Sequence, residues 1–390
     1  MKILVVGGEF SNKGAELMIH SVYNQVSAYF PNAQLFISPT LAKNKTISDA
    51  GYMPLNFPLF HFGYNAPWQF NLSLKLPYLV KSYLKGKKNI QFSGSTKLSD
   101  IDLILDISGY AFADKWGMIP MKNLNSLMSY AKKRNIKYVF LPQAFGPFSE
   151  EQIPVMKDCI SMAEMVIARD DTSYSNLKQL ESNTQKIKCF PDITLSFSKT
   201  KEDSSSEHSY CCIVPNVRML DKTENGWSEK YESILTNVVK NILSNSDLNV
   251  KIVNHSVHDD LDLVNKLSNV FIENKRVSPV LEANPMKLKK ILASSNFNIA
   301  SRFHAVASSL SNSVPCIMTS WSHKYQELAK EYDVKEFCVI TPDENYLISL
   351  LSRLITVESN QKIRAALTLK NKEISLQNKK MWSEIKSVIE

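Results

Sequence analysis

The chain has 390 residues, 44% of them hydrophobic and 22% charged, with a formal net charge of +8. That length favours two domains over one, and that composition excludes a disordered or low-complexity chain. The positive excess is spread along the chain with no basic stripe or nucleic-acid-binding module, so small anions or anionic surfaces are expected as partners and nucleic acid is not.

The opening Met1-Lys2-Ile3-Leu4-Val5-Val6-Gly7-Gly8 has too short an apolar run for a signal peptide. No stretch approaches the ~20 apolar residues that a membrane-spanning helix needs. The six cysteines, Cys159, Cys189, Cys211, Cys212, Cys316 and Cys338, form no C-x-x-C pair. They read as buried free thiols of a reducing compartment, and a cytoplasmic protein is expected.

In chain order, Lys2–Val6 predicts a buried strand and 14–30 a helix stopped at Pro31. Strand 101–105, helix 121–133, strand 137–141, strand Met165–Ala168 and a polar helix from Asp170 follow. The second half repeats the rhythm: strand 211–214, helix 231–243, strand 250–253, and helices 261–268 and Pro285–Ala293. Strand 297–299, a helix from His304, strand 314–318 and helix Lys324–Glu331 complete it. The last ~30 residues predict one charged helix. Strands alternating with helices indicate parallel sheets with crossover helices. The Ser-rich stretch 196–209 is the linker candidate. The expected division is one α/β domain over 1–200, a second over 206–358, and a C-terminal helix over 359–390.

One segment breaks the rhythm. Residues 52–92 are dense in aromatics, Trp68 and Tyr78 among them, and then basic at Lys81, Lys85, Lys87 and Lys88. The segment reads either as an insertion packing its aromatics on the first domain, or as an acceptor lid or membrane-surface patch.

Several strand-to-helix junctions carry groups suited to chemistry. Loops at the carboxyl ends of parallel strands are where α/β folds bind ligands. Residues 7–16 contain Gly7, Gly8, Asn12, Lys13, Gly14 and Glu16; the glycines allow a tight turn and the helix start favours an anion. Their spacing fits neither a dinucleotide fingerprint nor a phosphate-binding P-loop. Asp106 ends a strand, where it is either a general base or a turn cap. Arg169 reaches an anion or pairs with a carboxylate, and Asp170 is a helix N-cap candidate. Arg218 offers a guanidinium fork after strand 211–214. Ser301-Arg302-Phe303-His304 puts a permanent cation and a titratable imidazole at a helix start. Lys324 sits in the first turn of a helix, an unfavourable place that a bound anion would relieve. His255 and His258 are taken as surface histidines, because no partner ligand for a metal stands near them.

The ordered series Asn12-Lys13-Gly14-Ala15-Glu16, Gly146-Pro147, Arg169-Asp170, Pro191-Asp192, Ser301-Arg302-Phe303-His304-Ala305 and Lys324 resembles the polysaccharide pyruvyl transferase family over most of the chain. Two stretches depart from it. The family commonly has Gly-Asp-Glu where this chain has Gly14-Ala15-Glu16, and a Gly-Gly-Gly loop where it has Ser108-Gly109-Tyr110. The resemblance implies a GT-B-like α/β fold, two Rossmann-like domains with parallel sheets facing an interdomain cleft. It also implies phosphoenolpyruvate as donor, contacted by residues matching Arg218, Arg302 and His304, with the first domain as the acceptor side.

On that basis His304 is the expected proton donor, and Asp106 or Glu16 the base on the acceptor hydroxyl. Arg218, Arg302, Phe303 and Lys324 form the donor pocket, and Asn12, Lys13, Gly14 and Arg169 the acceptor-side loops. No metal and no cofactor beyond phosphoenolpyruvate as co-substrate is expected. The acceptor is a saccharide, free or lipid-linked, the latter pairing with peripheral attachment to the inner membrane. The main rival is a nucleotide-sugar-dependent GT-B glycosyltransferase, with Glu282 as the candidate carboxylate for ribose hydroxyls. A non-enzymatic saccharide-binding protein is the third reading.

Overall fold

The computed structural model describes residues 1–10, 13–38, 44–55, 96–180, 184–196, 209–221, 223, 226–256, 259–320 and 324–390. They form two compact units. The first comprises 1–10, 18–193 and 378–390; the second comprises 11–17 and 194–377. Most of the aromatic, basic segment 52–92, most of the linker candidate, Asn12 and His258 lie outside the described residues.

The first unit is built on strands β1 (Lys2–Val6), β2 (Gln34–Ile37), β3 (Met53–Pro54), β4 (Leu103–Asp106), β5 (Lys137–Gln143), β6 (Met165–Ala168) and β7 (Ile187–Cys189). Among the described residues they make one parallel sheet, ordered β3-β2-β1-β4-β5-β6-β7. Helices α1 (Lys13–Tyr29), α2 (Asn44–Asp49), α3 (Met118–Lys133), α4 (Gln152–Met162) and α5 (Asp171–Lys178) connect them. The inner strands are continuously apolar because helices cover both faces, as Ile3-Leu4-Val5-Val6 and Leu103-Ile104-Leu105 illustrate. Phe112, Phe140, Phe145 and Tyr138 form an aromatic layer above β5. Helix α3 starts three residues before the expected 121, after Gly117 at φ 66°, because Pro120 is tolerated in a first turn.

The second unit carries β8 (Tyr210–Val214), β9 (Asn249–Val253), β10 (Val277–Val280), β11 (Asn298–Ala300), β12 (Cys316–Thr319) and β13 (Cys338–Val339). The described strands pair in parallel in the order β10-β9-β8-β11-β12-β13. Its helices are α6 (Arg218–Asp221), α7 (Trp227–Asn245), α8 (Leu261–Asn269), α9 (Pro285–Ala293), α10 (Phe303–Leu310), α11 (Lys324–Glu331) and α12 (Glu344–Ile355). The core is fully closed around Trp227, Tyr231, Phe297 and Ile317. Burying a side chain such as Phe297 stabilises by about 1.5–3 kcal/mol before the entropy of ordering it is subtracted. The Trp227 indole, which needs a polar partner once buried, donates to the Ile340 carbonyl at 2.7 Å.

The elements that sequence periodicity did not predict are mostly short or at sheet edges. Strand β10 contains Pro279, which is tolerated there because an edge strand need not donate on its open side. The final helix α13 (Val357–Ile389) runs within two residues of the expected 359–390 helix; its residues to 377 group with the second unit and 378–390 with the first. Arg364 ties its beginning to the carbonyls of Ser295 and Asn296 at 2.7 and 2.5 Å. Among the described residues no helix is long and apolar enough to cross a membrane.

All six cysteines are free thiols, but they are not all buried. Cys189 is exposed at the edge strand β7, and Cys338 is half-buried on the edge strand β13. Alternation along an edge strand turns side chains outward, which an apolar-run reading does not anticipate.

Candidate functional site

The second sheet reverses its winding between β8 and β11. From β8 the chain runs outward to β9 and β10; β11, on the other side of β8, leads to β12 and β13. Loops leaving the two strands therefore diverge at their carboxyl ends, the usual ligand crevice of an open parallel sheet. Pro215-Asn216-Val217-Arg218 follows β8, and Ser301-Arg302 follows β11 and opens α10.

A buried polar lattice fixes these loops. The Ser301 carbonyl accepts from Asn216 Nδ2 at 2.8 Å and from Tyr325 Oη at 2.6 Å. Its hydroxyl bonds Tyr231 Oη at 2.5 Å and also Thr319 Oγ1. Tyr231 Oη further accepts the Asn216 amide at 3.1 Å, and Asn216 Oδ1 accepts the Arg218 amide at 3.0 Å. Burial pushes the Tyr231 phenol up to about 12, so it stays a neutral donor and acceptor. Residues from three elements and the loop after β8 thus hold Ser301, and with it the entry to α10, in place.

Arg302 occupies the N-cap position of α10 without a capping side-chain bond. Its guanidinium turns instead to Asp260, a fully buried carboxylate immediately before α8. Nε meets Oδ2 at 2.7 Å and Nη2 meets Oδ1 at 2.5 Å. This planar fork suits an arginine and not a lysine.

Phe303 is buried, its ring 5.4 Å from that of His304 and 6.0 Å from that of Tyr325. Lys324, opening α11, places Nζ 5.4 Å from the Phe303 ring. His304 is half-buried, and its imidazole lies against Gly14. A Cβ on Gly14 would stand 1.9 Å from His304 Nδ1, so any side chain there would collide with the ring. Residues 11–17 belong to the same unit as His304, and half-buried Glu16 follows Gly14 on the same helical turn.

The remaining candidates fall elsewhere. Arg218 opens the four-residue α6 and pairs with Asp221 at 2.6 Å, its side chain 39% exposed. Lys13 opens α1. In the first unit, Asp106 is fully buried. Its Oδ1 accepts the Ser108 amide at 2.8 Å and hydroxyl at 2.6 Å, and its Oδ2 accepts Tyr138 Oη at 2.5 Å. This is the turn-capping arrangement, not that of a base open to an acceptor. Gly7, at φ 84°, packs on the same turn: a Cβ there would stand 2.2 Å from Ser108 Oγ.

Arg169 has an almost buried side chain lying 3.4 Å from Asp192 and 3.7 Å from Asp170, whose own carboxylate caps α5 through the Ser173 amide. His255, taken from sequence as a surface histidine, is buried after β9. Glu282 Oε1 accepts the Asn284 amide at 2.7 Å, within its own turn. Among the described residues no group of three or more His, Cys, Asp and Glu is arranged to hold a metal ion. A cavity of about 680 Å³ beside Lys230, Ser233 and Glu344 includes none of these candidates.

Sequence reasoning did not find Asp260, Tyr231, Thr319 or Tyr325. Asp260 precedes a helix and looks like an ordinary N-cap; the arginine it serves is 42 residues away.

Comparison with solved structures shows the same architecture at low identity. UDP-GlcNAc 2-epimerase from Neisseria meningitidis bound to UDP-GlcNAc matches with a TM-score of 0.59 at 10% identity, covering 98% of this chain and 99% of that one. S. aureus MnaA with UDP matches at 0.58 and 11%, covering 94% and 91%. Anabaena HepE in complex with UDP and glucose matches at 0.55 and 15%, covering 98% and 100%. These likenesses establish the fold, a mixed α/β GT-B architecture with two parallel sheets. A comparison with curated proteins finds no match. The sequence profile of the polysaccharide pyruvyl transferases, however, matches residues 12–323, from the helix start beside His304 to the residue before Lys324, and the chain belongs to that family.

Proposed function

We propose that the protein transfers the enolpyruvyl-derived group of phosphoenolpyruvate to two hydroxyls of a sugar in a surface or capsular polysaccharide precursor. The products are a cyclic pyruvate ketal and phosphate. The observation that carries this reading is the start of α10. There Arg302 and His304 stand at a strand end, with Lys324 against Phe303 and Gly14 against the imidazole. Two cations and a helix N-terminus suit an anionic donor, and an imidazole suits proton transfer to its methylene carbon.

In the balanced reaction the methylene carbon gains one proton and becomes a methyl group. Two acceptor oxygens bond to the adjacent carbon, and its bond to the phosphate oxygen breaks. Of the two hydroxyl protons released, one balances the methyl group and the other leaves with phosphate. His304 donates the first proton. Arg302 and Lys324 bind the donor's carboxylate and phosphate, and Arg218 joins them by exchanging its bond to Asp221. Glu16 takes the base role, since both oxygens of Asp106 are engaged by Ser108 and Tyr138. The scheme calls on phosphoenolpyruvate as co-substrate and on no further cofactor. We place it in the cytoplasm, on a free or lipid-linked acceptor; a lipid-linked one would hold the protein peripherally at the membrane.

The test incubates phosphoenolpyruvate with candidate glycans and follows phosphate release together with the pyruvyl mass gain. His304→Ala should lower turnover about 10²–10⁴-fold while donor affinity stays within about tenfold. Near-normal turnover removes His304 from proton transfer. A nucleotide-sugar transferase is the second reading, favoured by the UDP ligands of the structural neighbours. Thermal-shift titration separates them, because the true donor stabilises the fold by mass action and the other does not.

A further inference from the structure

We propose that Asp260 is the positioning residue of the donor site, acting through Arg302. The inference rests on the reading of Arg302 as a donor contact and adds the group that aims it. Three interactions converge on one carboxylate with no solvent exposure. Two are the Arg302 fork, at 2.7 and 2.5 Å. The third comes from the backbone of the other crevice loop: the Val217 amide donates to Oδ1 at 3.0 Å. Asp260 therefore joins the loop after β8 to the loop after β11, one residue before Arg218 and at Arg302 itself.

A buried carboxylate is retained at such a place only when its charge is matched, and the Arg302 guanidinium, 21% exposed, matches it. The neighbouring Asp259 reaches only 3.8 Å from Nη2 and is 49% exposed, so it adds little. The fork also limits what Arg302 can do. Nε and Nη2 are committed to Asp260, and Nη1 is the nitrogen outside the fork. Arg302 consequently contacts the donor through one edge, with its plane set by Asp260 and not by the ligand. Such preorganisation spares the donor the cost of ordering a long side chain.

Asp260→Asn keeps an acceptor for the Val217 amide and removes the charge that holds the fork. It should raise the dissociation constant and KM for phosphoenolpyruvate about tenfold or more, with kcat at saturating donor within about threefold. Asp259→Asn should change either by less than about twofold. Because Asp260 acts through Arg302, the double variant Asp260→Asn/Arg302→Ala should bind the donor no more weakly than Arg302→Ala alone. If Asp260→Asn does not fold, Arg302→Lys keeps the opposite charge while losing the fork, and the same split in KM against kcat is expected.

Additive losses in the double variant, or unchanged donor affinity in Asp260→Asn or Arg302→Lys, overturn the proposal. The donor reading fails separately: wild-type protein that gives no calorimetric binding of phosphoenolpyruvate sinks it. Positioning is then read from the Arg302 ¹⁵Nε–H resonance, which should be protected from exchange in the wild type and lose that protection in Asp260→Asn. Equal exchange in both overturns the positioning claim whatever the donor.

Discussion

Each sheet has a fully buried aspartate near the carboxyl end of its central strands, and the two are used in opposite ways. Asp106 closes on its own surroundings, a backbone amide, a serine hydroxyl and a tyrosine hydroxyl. These three are neutral donors, from its own turn and from β5, and they fix the start of that turn. Asp260 faces a guanidinium and a loop amide, and the arginine it holds caps the helix that carries His304. A carboxylate satisfied by neutral donors shapes a backbone; one satisfied by a cation aims that cation. The same residue type in the same kind of place thus gives structure in the first unit and site geometry in the second.

The contrast can be broken most severely at Gly14. Gly14→Ala puts a methyl group where the His304 ring lies and should displace the imidazole. A displacement of about 1 Å costs on the order of 10²-fold in turnover. Steady-state rates checked against an unchanged melting temperature would show it, and full activity would mean the close contact has no catalytic consequence.

A smaller effect is expected from Tyr138→Phe, which takes one donor from buried Asp106. Denaturant unfolding should report a loss of about 1–3 kcal/mol with turnover within about twofold. A large fall in turnover at unchanged stability would make Asp106 a working group and erase the difference between the two aspartates.

The smallest perturbation is thiol labelling at pH 8, followed by peptide mass spectrometry. Exposed Cys189 in the first unit should react first. Burial pushes the Cys211 and Cys316 thiols, on the strands beneath the second-unit site, up to about 12. They therefore hold almost no thiolate and should stay unmodified until the unit unfolds. Rapid labelling of either would show that this sheet opens more readily than its packing implies.

Much of the architecture was legible because burial on both faces leaves a plain signature. Lys2–Val6, Met165–Ala168, Pro285–Ala293 and Lys324–Glu331 were predicted at the bounds they have. Edge elements such as β3, β7 and β13 were not, since two or three residues paired on one side carry too little periodicity. The site was legible only as a cluster in one stretch, Ser301 to His304. Nothing in the order of residues says that Gly14 lies against His304, or that the aspartate before α8 serves Arg302 and not its own helix.

Residue order already specifies alternating parallel-sheet units and a cation two positions from an imidazole at a helix start. It also carried the ordered motifs of its family. Hydrophobic periodicity and short-range chemistry are local properties, and they survive in one dimension. Tertiary structure alone decided which charges meet. Asp106 and Asp260 are indistinguishable as letters, and so are the histidines at 255 and 304. Their roles follow from the partners that folding brings within hydrogen-bonding distance: Tyr138 for one aspartate, Arg302 for the other.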